Sequence, residues 1–149
     1  MVDRGGVGGA DPYNLERFVA AQLDVYDSAL LEIKSGSKRS HWMWFIFPQI
    51  LGLGTSDKAL FYAIRNAGEA ALYLEHPILG KRLLECAVAL LTVKGRTASE
   101  IFGYPDDIKL KSSMTLFDYV AGPDSVFAKV LGTYFSGEHD EKTLQLLRF

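Results

Sequence analysis

Apolar residues first fall into a helical period at Leu15, Phe18, Val19, Tyr26, Leu30 and Ile33, behind a candidate N-cap at Asn14. At about 100° per residue these six occupy one arc of roughly 120°, which predicts a single amphipathic helix that Gly36 stops. Gln22 lies near the centre of that arc. A buried amide needs partners, so Gln22 either fixes a neighbouring loop or faces a cleft.

The pattern then changes twice. Residues 35–40 form a polar, basic connection that runs into His41-Trp42-Met43-Trp44-Phe45-Ile46-Phe47-Pro48-Gln49. Bulky residues in unbroken succession cannot line a half-exposed strand, which would alternate. They suit a buried strand or a buried extended segment that Pro48 ends. Gly52-Leu53-Gly54-Thr55-Ser56-Asp57 reads as a turn delivering Ser56 or Asp57 to a helix start.

Helical signals fill the remainder. Asn66 caps a short helix closed by His76-Pro77, and residues 78–93 form an amphipathic helix with Cys86 on its apolar side. Thr97 and Glu100 have the spacing of a capping box. Asp106 or Asp107 opens a helix stopped by Gly122-Pro123, Asp124 opens another, and Asp140 opens a last short one. These signals predict a mainly α, compact single domain over residues 11–149. It holds six to seven helices and one buried aromatic extended segment, with room for a small strand pair around residues 42–47. Residues 1–10, glycine-rich and without the apolar stretch of a signal peptide, read as a flexible tail.

Composition narrows the class. Forty-eight per cent of the 149 residues are hydrophobic and 23 per cent charged, enough apolar surface for one folded domain. No apolar run approaches the roughly 20 residues of a membrane span. A cytoplasmic location is the expectation that follows. Sixteen Lys and Arg against 18 Asp and Glu give a net charge of -2, so a surface built for nucleic acid is not expected. The single cysteine and three scattered histidines form no metal-ligand pattern, and no metal or cofactor is assigned.

Candidate chemistry centres on the helix after Asp106. Leu110, Leu116, Phe117 and Val120 share an arc that also contains Lys109 and Ser113, whereas Lys111, Thr115 and Asp118 are placed on the outer face. A lysine aimed into an apolar stripe must snorkel, find an anion or lose its charge, and Asp106 is one turn back. Either this is a structural pair, or Lys109 holds a substrate anion with Ser113 hydrogen-bonding beside it. A second candidate is Lys38-Arg39-Ser40-His41-Trp42, where cations beside indoles suit phosphate and ring binding, or simply mark a solvated loop entering the core. Gly52-x-Gly54 is a plain turn or a weak anion site and fits no full phosphate-loop motif. The acidic run at residues 138–141 reads as the cap of the last helix.

The stretches HWMWFIFPQ (residues 41–49), Gly52-Leu53-Gly54, Tyr73-Leu74, His76-Pro77, Leu79-Gly80 and Ile101-Phe102-Gly103 resemble a small bacterial family known as domain of unknown function 1810. Asp106-Asp107, Lys109, SSMTLF (residues 112–117) and Tyr134-Phe135 carry the likeness on. Thr55 stands where that family leads one to expect arginine. Members often bear the label calpastatin, which a globular composition does not suit. The resemblance implies no activity. A more distant similarity, to helical proteins that process NAD- and ADP-ribose-derived N-glycosides, maps no catalytic residue onto this chain. The functional expectation is a binder of a small anionic, nucleotide- or ADP-ribose-like ligand, or an N-glycoside-processing enzyme. Lys109, Asp106 and Ser113 would supply the chemistry, and Arg39, His41, Trp42, Trp44, Gln49 and Gln22 the binding. The alternative is a non-catalytic interaction module. Its oligomeric state is not legible in the sequence.

Overall fold

The structure, a computed structural model, describes residues 10–148; the expected tail lies outside them except for Ala10. Ten helices form among the described residues, more than the six or seven expected. They are α1 (Glu16–Gln22), α2 (Tyr26–Lys34), α3 (Met43–Ile46), α4 (Asp57–Phe61) and α5 (Ala67–Glu75). The second half adds α6 (Leu79–Thr92), α7 (Ala98–Phe102), α8 (Asp106–Ala121), α9 (Val126–Phe135) and α10 (Glu141–Leu147). The mainly α class stands.

Two departures from the sequence pattern explain the extra elements. The first helix breaks at Leu23–Val25 because its halves bury their faces against different partners, α1 on α3 and α2 on α6. Its start is held by Asp11, whose carboxylate accepts the N–H groups of Leu15 at 2.7 Å and Glu16 at 3.0 Å. Asn14, the expected cap, instead takes a positive φ of 57°. The aromatic block is likewise no extended segment. It curls into one helical turn, with the Phe47 N–H donating to the Met43 carbonyl at 3.1 Å. A short apolar run carries no period that separates a buried strand from a buried turn of helix, and here neighbours cover both sides. Among the described residues the strand pair shrinks to one parallel bridge, Ile50 to Ile64.

Four helices make the frame. α5 packs on α6, α6 on α9, α9 on α8 and α8 back on α5, closing a ring. α7 and α10 cover the rest of α8, so Ser112, Ser113, Met114, Thr115, Leu116 and Phe117 are all buried in succession. Thr115 was expected on the surface. α10 seals it instead, and its hydroxyl accepts the Asp140 N–H at 2.8 Å. Where α5 turns into α6 the helices touch so closely that a Cβ on Gly80 would overlap the Leu74 carbonyl oxygen. Caps agree with the local sequence at Ser56, Asn66, the Thr97–Glu100 box and Asp140. Ser125, one residue after the expected Asp124, caps α9. No helix among the described residues is long and apolar enough to cross a membrane.

Arg17 ties the N-terminal part to this frame. Its guanidinium spends all five donors: on the carbonyls of Tyr13, Asn14, Phe61 and Ala63, and on the Glu69 carboxylate at 2.8 Å. Glu69 accepts the Arg65 N–H with its other oxygen. Both charged side chains are essentially dry, at 4% and 0% exposure.

Candidate functional site

The first turns of α8 form one wall of a cleft of about 400 Å³. Ile108, Lys109 and Ser112 project from that helix, with Tyr104 and Pro105 just before it. Trp44 from α3, Gln49, the turn at residues 52–56, Tyr62 after α4 and Asp140 before α10 complete the lining. The size is that of an ordinary small-molecule site. Local sequence dictates much of this. Gly52 takes a φ of 113° in the turn, and a Cβ there would press on Leu146 at 3.0 Å.

Lys109 is the cation of the wall. Its ammonium lies 4.3 Å from the centre of the Trp44 ring and 3.6 Å from Asp106 Oδ1. Lys58 approaches the same indole at 5.6 Å. The apolar arc that holds Lys109 in the sequence is thus the side of α8 carrying Trp44, and the ammonium finds an anion and a π-face there. Asp106 does not line the cleft. It stands between two lysines, because Lys38 Nζ meets its Oδ2 at 2.8 Å.

Lys38 is itself positioned by a loop that one carboxylate organises. Glu32 on α2 accepts the N–H groups of Arg39 and Ser40, the Ser40 hydroxyl and the Trp42 indole N–H, all at 2.7–3.1 Å. Burial alone would raise the Glu32 pKa, but these donors outweigh it and bring it down from 4.5 to about 2. Lys38 then donates to the Ser40 carbonyl at 2.6 Å and lies 5.0 Å over the Trp42 ring.

Of the residues singled out from sequence, the structure brings Lys109, Trp44 and Gln49 to the cleft. Asp106 reaches it only through Lys109. Trp42 is wholly buried, so it has no open face for a ligand; its ring packs against Phe47 and Phe102. Arg39 and His41 are exposed but do not line the cleft. Gln22 is a structural clasp: its amide N–H groups donate to the Phe45 carbonyl and the Tyr73 hydroxyl, and its oxygen accepts from Arg82. Ser113 is sealed in the core with no hydrogen-bond partner among the described residues and is not part of the lining. Cys86 is buried, and burial pushes its thiol up to about 12, which leaves it unreactive.

Sequence reasoning missed Ser112, Tyr62, Tyr104 and above all Asp140 as cleft residues. Asp140 was legible as a cap, and it is one, but nothing local shows that its loop folds back onto α8. Ser112 falls some 60° round the helix from Lys109 on an ideal wheel, which hid a shared wall. Among the described residues no group of three or more potential metal-ligating side chains converges.

Comparison with known proteins extends the picture without assigning an activity. The family model described as Protein of unknown function (DUF1810) matches residues 12–147. The crystal structure of the conserved hypothetical protein Rv1873 from Mycobacterium tuberculosis is 48% identical and superposes with a TM-score of 0.91. That match covers 93% of this chain and 99% of that one. No curated protein matches the chain.

Proposed function

The chain belongs to the family of proteins of unknown function DUF1810, and we propose that its cleft binds a small anionic, nucleotide-like ligand. The observation that carries this reading is Lys109, whose ammonium stands at the wall of a cleft of about 400 Å³ between the Trp44 ring and Asp106. A ligand phosphate meets that ammonium in competition with a single carboxylate 3.6 Å away. Trp44, Tyr62 and Tyr104 offer aromatic surface for a base, and Gln49 offers an amide. The finer form of the proposal is an ADP-ribose-like ligand whose N-glycosidic bond the protein processes. That step needs a carboxylate near the sugar, and Asp140 is the one that lines the cleft.

A thermal-shift screen of wild type and Lys109→Met against nucleotides, NAD, ADP-ribose and sugar phosphates tests the reading. A ligand at a hundred times its Kd adds about 2.7 kcal/mol, which for a chain of this size raises the midpoint by several degrees. The expected result is a shift in wild type that the folded variant lacks. Release of free base from any N-glycoside that binds would establish turnover. Silence across the panel in both proteins would refute ligand binding and favour an interaction module.

A further inference from the structure

We infer that Asp140 is the sugar-recognising group of this cleft, accepting the ribose hydroxyls of a nucleotide whose phosphate pairs with Lys109; the inference rests on the anionic-ligand reading above. Capping α10 requires one carboxylate oxygen, and Asp140 has two. Its Oδ2 takes the Thr143 N–H at 3.1 Å and the Thr143 hydroxyl, and it shares the Ser112 hydroxyl, 3.2 Å away, with the Ile108 carbonyl at 3.3 Å. Its backbone N–H is fixed as well, donating to Thr115 at 2.8 Å. Asp140 is therefore tied to α10 through Thr143 and to α8 through Ser112 and Thr115. Oδ1 accepts no hydrogen bond from any described residue, yet it is not among the sealed, unpartnered atoms, of which Ser113 Oγ is the one found among the described residues. Asp140 lines the cleft, and an acceptor that the fold itself leaves unused there is what a ligand hydroxyl would meet.

Chemistry selects what it binds. A carboxylate oxygen accepts and cannot donate, and it repels phosphate, so the ligand must bring a hydroxyl or amine N–H there and its anion elsewhere. Lys109 is the place for the anion, because it pairs with Asp106 and not with Asp140. Ser112, which touches Asp140, lies about one turn of α8 from Lys109, and all three residues line the cleft. A pentose 5′-phosphate carries its anion and its vicinal hydroxyls on opposite ends of one small unit and so offers one to each group. The base then extends toward the aromatic part of the lining.

Binding of AMP and of 2′,3′-dideoxy-AMP, which lacks both hydroxyls, is the test, by titration calorimetry on wild type, Lys109→Met and Asp140→Asn. Asparagine keeps one oxygen for the cap and turns the free acceptor into a donor. Wild type should prefer AMP by at least about tenfold, since a site built to bond a hydroxyl rejects the analogue without it. Asp140→Asn should bind the two alike, with its affinity for dideoxy-AMP undiminished. Equal binding of both nucleotides to wild type would overturn the role of Asp140 while leaving the anion site intact, and so would a preference that survives in the variant. Failure of wild type to bind either would bring down the anionic-ligand reading and this inference with it. If Asp140→Asn does not fold, Ser112→Ala takes its place. That variant removes one of the contacts to Oδ2 and keeps the carboxylate, and should weaken the preference for AMP; an unchanged preference would overturn the role of Asp140.

Discussion

Two clusters of paired charges in this molecule are built on contrary principles. Arg17 and Glu69 are dry, and nearly every donor and acceptor they own is spent on backbone or on each other. Lys38, Asp106 and Lys109 sit in a chain in which one carboxylate serves two cations and the last cation opens onto a cleft. Saturation marks the first as architecture. The second carries a surplus of positive charge beside a cleft, the feature on which the proposed ligand site rests. The number of charges is similar; the difference lies in how many of their hydrogen bonds are already made.

The largest effect should come from breaking the saturated pair. Glu69→Gln leaves the Arg17 guanidinium buried without its counter-charge and should lower unfolding stability by about 3–5 kcal/mol in urea denaturation. Replacing both partners, as Arg17→Met with Glu69→Leu, should cost less than Glu69→Gln alone if ionic burial is the penalty. A double variant worse than the single would show that the four carbonyl bonds of Arg17 matter more than its charge.

Glu32 sharpens the comparison from the other side, because it stabilises the loop that presents Lys38. Glu32→Gln should lose about 1.5–3 kcal/mol, the worth of hydrogen bonds to a charged group. Its folded pKa lies below the ordinary value, so the carboxylate stabilises the fold fully above about pH 4.5. That contribution fades as the pH falls toward about 2. Acid titration of the unfolding free energy should therefore be shallower in the variant over that window. The smallest effect on stability belongs to Lys109→Met. Removing a cation that is 23% exposed from a shared carboxylate should change stability by less than about 1 kcal/mol, while abolishing the ligand-induced thermal shift. A large loss of stability there would make Lys109 architecture too and erase the contrast.

Much of the frame was legible because helices with one dry face announce themselves by period and cap. The box at Thr97 and Glu100 and the cap at Asn66 are legible from spacing and residue type, and the start of α4 is legible to within Ser56 or Asp57, of which Ser56 is the cap. The break at Leu23–Val25 was not, since the same apolar arc serves one straight helix or two that part toward different partners. The aromatic block misled for a related reason: a run apolar on every side carries no phase. At the site, Lys109 stood out as a charge in the wrong arc, and Trp44 as part of the aromatic block. Trp42 and Trp44 look equivalent in the sequence, yet tertiary neighbours, Glu32 at the indole N–H and Phe47 and Phe102 at the ring, enclose only the first. Asp140 depended on the same kind of long-range closure.

Those two tryptophans, one residue apart, give the molecule a pair of optical probes with separate allegiances. Trp42 is sealed in the core and its emission reports whether the chain is folded; Trp44 stands in the cleft beside two ammonium groups. Iodide, a quencher that is itself an anion, should be drawn to the second and denied the first. The fraction of emission it extinguishes then becomes a direct gauge of whether the cleft is occupied.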